Sequence, residues 1–326
     1  MSDVLVTGGS GFIGSHLVRA LVKRGERVRV FDNEFRGSEA NLVSVRSEID
    51  WVEGDIRDAK SVHKAMSGIQ TVFHLAFING TEYFYSQPKL VLEVGIKGTL
   101  NTIEAAQANG VKKFIYASSS EVYQNAAVIP TPENVPAIIP DVKNPRYSYG
   151  GGKLMGELLT LHYLPKGETQ RLIFRPHNIY GPAMGWEHVI PQFLENIFKA
   201  SEAFQKKEII LQIQGNGQET RAFCYIDDAI EGILTVADKG TDGEIYHVGK
   251  DEEISIIQLI EAIEKCLKIK IQIKIGELTP GSTPRRSPCI DKLKTMGYCP
   301  KVSLTNGLMK TIEWYQRALT EKLCHK

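Results

Sequence analysis

The run Thr7-Gly8-Gly9-Ser10-Gly11-Phe12-Ile13-Gly14 restricts this 326-residue chain more than any other stretch. It follows the apolar triplet Val4-Leu5-Val6 and opens the helical pattern from Phe12 to Arg24, so a strand passes through a glycine turn straight into a helix. Gly8 permits the tight turn, Gly11 lets the backbone approach a pyrophosphate on the helix N-terminus, and Gly14 lets the helix pack close to the sheet. The spacing is Gly-x-x-Gly-x-x-Gly, and Gly8, Gly11, Phe12, Ile13 and Gly14 are the first cofactor-contact candidates. Asp32, at the end of a second strand, is placed to accept from both ribose hydroxyls and to repel a 2′-phosphate, which reads as NAD over NADP. Arg36 is the residue that could accommodate that phosphate instead, and a plain strand-end turn is the other reading of Asp32. Asp55-Ile56 either flanks the adenine or is ordinary loop.

The first half goes on alternating short apolar runs with amphipathic stretches, which predicts an α/β fold with a doubly wound parallel sheet of the Rossmann type. Expected strands include Val28–Phe31, Thr71–Leu75, Lys113–Ala117 and Leu172–Arg175, with long helices over Lys89–Ala108 and Tyr149–His162. Past Pro182 the rhythm changes: strands are expected at Glu208–Ile213 and Ile269–Ile275, and helices at Ser255–Leu267 and Thr305–Ala318. Residues 1–179, reclaiming about 222–248, form the expected cofactor domain; 180–221 and 249–326 form a smaller, interleaved C-terminal α/β substrate domain. The stretch Pro130–Pro145 is expected to be a loop over the site.

A net charge of +1 gives no nucleic-acid or membrane footprint. No apolar stretch approaches bilayer length, and Met1-Ser2-Asp3-Val4 shows no signal-peptide pattern. Cys224, Cys266, Cys289, Cys299 and Cys324 are odd in number and form no Cys-x-x-Cys pair, so free thiols in a reducing cytoplasm are expected. The eight histidines show no ligand spacing, and no metal is expected.

Tyr149 and Lys153 stand one helical turn apart, which places phenol and ammonium on one face. A fixed cation stabilises the phenolate, and Lys153 is expected to bring Tyr149 toward neutrality as an acid/base.

These features, with His74-Leu75-Ala76, Gly98-Thr99-Leu100-Asn101, Ser118-Ser119-Ser120-Glu121-Val122-Tyr123, Arg175–Pro182, Gly215–Arg221 and Pro284–Pro288, resemble the extended short-chain dehydrogenase/reductases, specifically their NAD-dependent nucleotide-sugar epimerases and dehydratases. The resemblance runs nearly end to end. It implies that Tyr149 is the base for a sugar hydroxyl, that Lys153 binds the nicotinamide ribose, and that Ser119 holds the same hydroxyl, with Ser118 and Ser120 as rivals. It places Leu75 and Ala76 against the dinucleotide and Ser120, Asn178, Arg221 and Arg286 against a nucleotide-diphosphate sugar. Guanidinium is the best-shaped partner for a diphosphate. Gly95 departs from the pattern, standing where many members have Asn; Gln124 and His177 are also unusual, and His177 is a candidate to face the substrate. The segment Phe77–Tyr85 is the expected sugar-facing loop, its aromatics alternatively packing. The helices Lys89–Ala108 and Ser148–His162 resemble the pair that forms a four-helix homodimer interface.

The shared chemistry implied is oxidation at sugar C4 to a 4-ketone. A 4-epimerase is preferred because it demands the fewest extra groups. A 4,6-dehydratase follows, then a UDP-glucuronate-type decarboxylase; both would use Glu121 near C5, although the dehydratase Asp is absent and Ser120 stands in its place. Two other classes stay open: a dinucleotide-binding sensor or scaffold, and a reductase for a hydrophobic ketone.

Overall fold

Along β1 (Val4–Thr7) alternate side chains enter different cores: Val4 and Val6 join one buried apolar cluster and Leu5 the other. A strand buried on both faces belongs in the middle of a parallel sheet covered by helices on each side. The computed structural model shows that sheet. It describes residues 3–277 and 283–324, the last three without side chains, so Met1, Ser2 and the Cys324 thiol lie outside the described residues.

In chain order, β1 is followed by α1 (Phe12–Lys23), β2 (Val28–Asp32), β3 (Asp50–Glu53), α2 (Ala59–Met66) and β4 (Thr71–His74). Next come α3 (Thr81–Ser86), α4 (Pro88–Leu92), a π turn over Glu93–Gly98, α5 (Thr99–Ala108), β5 (Lys113–Ala117), α6 (Tyr147–His162) and β6 (Gln170–Pro176). The second half runs β7 (Ile179–Tyr180), α7 (Val189–Ala200), β8 (Glu208–Gln212), β9 (Thr220–Ala222), β10 (Cys224–Tyr225), α8 (Ile226–Lys239) and β11 (Glu244–Val248). It ends with β12 (Glu253–Ser255), α9 (Ile256–Leu267), β13 (Lys270–Lys274), β14 (Arg285–Arg286), α10 (Asp291–Lys294) and α11 (Leu304–Cys324).

The main sheet has the order β11-β6-β5-β4-β1-β2-β3, parallel throughout. Helices α1 and α8 cover one face; α2, α5 and α6 cover the other. The order reverses at β1, between β2 and β4, and the crevice beyond the strand ends there is where such sheets receive ligands. The smaller half is made of short pairs, β8 with β13 and β9 between β12 and β14. Its helix α9 is fixed at its start by a reciprocal capping box between Ser255 and Gln258.

Two sequence expectations change. The helix over Lys89–Ala108 is interrupted by the π turn at Glu93–Gly98, where a Cβ on Gly98 would overlap Ile56. The loop containing Pro130–Pro145 lends no residue to the wall of the cleft described below. Thr131 bridges to Pro288, and the Glu133 carboxylate accepts from His247 N (3.0 Å), which anchors this loop against β11 and the segment after β14. No helix among the described residues is long and apolar enough to cross a membrane, and no group of potential ligands gathers as a metal site there.

Candidate active site

A cleft of ≈ 660 Å³ opens at the reversal of strand order, within the range of small-molecule sites. Its floor is the glycine turn. Gly8 has φ +70°, and a Cβ there would stand 2.7 Å from Ala76 N; a Cβ on Gly14 would run into the Gly8 carbonyl. The chain thus leaves a bare backbone cradle at the start of α1. The buried Asp32 carboxylate accepts from Ser10 N (2.9 Å) and Glu34 N (2.8 Å), so it is aimed by backbone rather than by a cation. Leu75, Ala76, Asp55 and Ile56 line the same end. Asp55 is gripped by Arg57 and accepts from Asn33 Nδ2 (3.1 Å), and Arg57 holds its carboxyl below the usual range. Buried His74 bridges Thr7 Oγ1 (2.7 Å) and Thr99 Oγ1 (3.0 Å); burial first, then Lys153, pushes its pKa down to about 3, so it is neutral. Arg36, the residue that could have taken a 2′-phosphate, is bound instead by both oxygens of Glu187 (3.0 and 2.9 Å) across the cleft mouth. An uncoated turn, an aimed carboxylate and an occupied Arg36 fit a dinucleotide without a 2′-phosphate.

Tyr149 and Lys153 both line the cleft on α6 and are almost fully buried. Lys153 Nζ donates to Ala117 O (2.6 Å), and burial lowers its pKa to about 7 against an upward pull from Glu157. Tyr149 behaves differently from the sequence expectation. Burial pushes its phenol up, a hydrogen bond with Ser119 pulls it down, Glu121 pushes up and Arg286 pulls down. Within the chain, Ser119 and Arg286 act to ease its ionisation, while the Lys153 ammonium, 5.8 Å from the ring centroid, donates to Ala117 O. The Ser118 hydroxyl is committed to Glu157, which separates it from Ser119. Ser120 lines the cleft.

Glu121 faces Arg286 at 2.6 Å. Burial pushes its carboxyl up, yet Arg286, Arg146 and Arg221 outweigh burial and hold it below the usual range. Arg286 and Asn178 line the cleft; Arg221, its register partner across β14 and β9, does not. Burial and neighbouring Arg286 lower the Arg221 pKa to about 10. The Nε atoms of Arg146 and Arg286 are buried without a hydrogen-bond partner. Three guanidiniums thus gather around one carboxylate, an excess of positive charge that suits an anionic ligand.

Other residues escaped the sequence reading. Glu157 stands four residues after Lys153; helical spacing from the known pair was the available signal. Glu157 is buried in a bidentate pair with Arg175 (2.7 and 2.6 Å). Trp186 and Trp314 line the mouth from distant segments, with no local signal to find them. Phe77 and Phe84 pack on the Tyr149 ring, centroids 5.1 and 4.9 Å away, so this segment both lines the cleft and packs. His177 is buried beside His247, ring centroids 4.5 Å apart, and is absent from the cleft wall. Its position just after β6, under Gly249, turns it inward.

Known proteins with the same architecture span three reactions. A UDP-N-acetyl-alpha-D-glucosaminuronate decarboxylase of Bacillus cytotoxicus is 32% identical over 322 residues, covering 96% of this chain and 97% of that protein. The UDP-glucose 4-epimerase of Thermotoga maritima, solved with UDP-glucose, superposes with a TM-score of 0.85 at 28% identity, covering 97% and 99%. A dTDP-glucose 4,6-dehydratase of Streptomyces venezuelae, solved with NAD bound, gives 0.85 at 28%, covering 98% of each chain. The family model described as NAD dependent epimerase/dehydratase matches residues 4–249, ending one residue past β11. With a match of that extent laid over this cleft, the chain belongs to the NAD-dependent epimerase/dehydratase family.

Proposed function

We propose that this chain oxidises C4 of a nucleoside-diphosphate sugar and then decarboxylates it at C6, the substrate being a nucleoside-diphosphate uronic acid. The observation that carries this reading is the cationic wall beside Tyr149: Arg146 and Arg286 line the same cleft as the phenol, and Arg286 meets the Glu121 carboxylate there at 2.6 Å. Guanidinium that close to the reacting hydroxyl lies at the sugar end of a substrate, where a carboxylate is the fitting partner.

The glycine cradle, Asp32, Leu75, Ala76 and Lys153 would hold NAD, with Asp55 and Ile56 near its adenine end; when bound it supplies the hydride acceptor for C4. Tyr149 takes the C4 hydroxyl proton, and Ser119 holds that oxygen in line. The resulting ketone stands β to the C6 carboxylate. The C5–C6 bond then breaks, its electron pair passes into the C4 enolate, carbon dioxide leaves, C5 takes up a proton, and C4 regains the hydride it gave up while Tyr149 returns the proton to its oxygen, which leaves a pentose. Arg146 and Arg286 hold the carboxylate until it departs. A dehydratase would need an acid to protonate the leaving C6 hydroxyl. Glu121 is held ionised and Ser120 replaces the usual Asp, so this wall is better suited to decarboxylation.

A second reading, 4-epimerase, is favoured by the mutual satisfaction of Glu121 and Arg286, which can make both purely structural. NMR in D₂O with a panel of nucleotide sugars and uronates separates the outcomes. Carbon dioxide and a pentose product support the proposal; inversion at C4 without deuterium at C5 supports the epimerase; a 6-deoxy-4-keto product carrying deuterium at C5 would mean a dehydratase. Thermal shift with nucleotide sugars tests enzyme against sensor, and complete absence of shifts would sink the enzymatic reading. Tyr149→Phe is expected to lower kcat by about 10³-fold with NAD affinity preserved.

We further propose a homodimer through α4–α5 and α6. Leu92, Ile96, Met155 and Leu158 are exposed there, at 39, 36, 41 and 46%, an apolar set that a four-helix interface would cover. A monomer by light scattering at micromolar concentration would refute it. The four described free thiols fit a reducing, cytoplasmic compartment.

A further inference from the structure

Lys153 carries its charge in an unusual setting. Among the described residues its ammonium makes one hydrogen bond, to Ala117 O, and no ion pair. Around it stand three aromatic rings: Phe77 with its centroid at 4.0 Å, Tyr116 at 5.2 Å and Tyr149 at 5.8 Å. Aromatic faces attract cations, the more so away from water.

The nearest ring is also the most tightly fixed. A Cβ on Gly95, in the π turn, would overlap the Phe77 ring, and one on Gly152, on α6, would come within 3.0 Å of its Cζ. Two bare stretches of helix therefore pinch Phe77 from either side, and its edge meets Tyr149 at 84°. Three positions far apart in sequence share one spatial purpose.

We propose that Phe77 is a positioning residue for Lys153: pinched between Gly95 and Gly152, its ring face takes the place of a counter-carboxylate and keeps the ammonium charged beside Tyr149. The groups facing Lys153 leave few other candidates. His74 from β4 is neutral, and burial holds the Tyr116 phenol of β5 and the Tyr149 phenol of α6 in their protonated forms. Among the described residues Glu157 on α6 is the facing carboxylate, and Arg175 of β6 engages both its oxygens. With burial already drawing the lysine toward neutrality, removing the ring should tip it over.

This inference rests on Tyr149 and Lys153 as the reacting pair, but its test reads the lysine directly. The full chain, labelled with ¹³C at lysine Cε, is titrated by NMR from pH 5 to 10, with Lys153→Met assigning the resonance. Phe77→Leu, which keeps an apolar side chain but loses the ring, should lower the Lys153 pKa by about half a unit or more. Gly95→Ala, which displaces the ring, should lower it similarly, and Phe77→Tyr should restore it. In turnover the same variants should move the alkaline-side pH dependence of kcat with little change in KM. An unchanged or raised Lys153 pKa in both Phe77→Leu and Gly95→Ala overturns the proposal. Wild-type inactivity toward every nucleotide sugar would instead sink the functional reading and leave the titration intact.

Discussion

The two halves of this molecule build their sides of the cleft by opposite means. On the cofactor side the essential surface is backbone: the turn at Gly8, the start of α1 and the amides that aim Asp32 lie within about one strand-turn-helix unit and its neighbour. On the substrate side it is charged side chains, Arg146 on the edge of α6 and Arg286 on β14, with Arg221 on β9 paired in register to Arg286 but outside the cleft wall. A backbone surface is specified by what glycine omits, so one added methyl destroys it. A side-chain surface depends on charge balance and should fail by degrees.

Gly14→Ala should break the first half most sharply, weakening NAD binding by about 10²-fold or more because a backbone carbonyl occupies the methyl's place. Calorimetry on the folded variant checks this, and near-normal affinity would erase the contrast. Arg286→Lys should cost about tenfold in kcat/KM for a nucleotide uronate while NAD affinity stays unchanged, since lysine keeps the charge but not the fork. Equal losses in both would show that the halves are not independent.

Acid should then weaken both halves together. His74 and His247 are buried with pKa values pushed down to about 3, against 6.5 when unfolded. The unfolded chain binds more protons between those limits, so stability present above pH 6.5 is lost as pH falls toward 3. Thermal midpoints should drop across that window. His247→Phe should flatten the slope, and an unaltered slope would exclude that histidine. The smallest effect is expected for Glu187→Gln, which loosens the Arg36 bridge across the mouth. NAD release should quicken about twofold to threefold, measured by stopped-flow, with release in the wild type accelerated by salt.

The same contrast explains what could be read from sequence. Strand β5 falls at the residues where its apolar run places it, because a strand buried on both faces leaves a continuous local signal. The glycine turn was legible for the same reason: its chemistry is contiguous. The meeting of Glu121 and Arg286 spans 165 residues and depends on the parallel pairing of β14 with β9, which neither segment announces. The inward turn of His177 and the anchoring of Glu133 on β11 are equally products of tertiary packing. The π turn hid because Glu93–Gly98 reads as ordinary helix; only the crowding of Ile56 and Phe77 against its glycines distinguishes it.

The outer strand of the main sheet carries a consequence for how the chain is made. β11 pairs with β6, yet residues 180–221 of the substrate side and helix α8 are synthesised between them. Until Val248 has left the ribosome, β6 presents an unpaired edge in an otherwise finished sheet, a template for stray strands. Cutting the gene at the apparent border near residue 180 would make that edge permanent, so the nucleotide-binding half cannot be harvested as a simple N-terminal fragment.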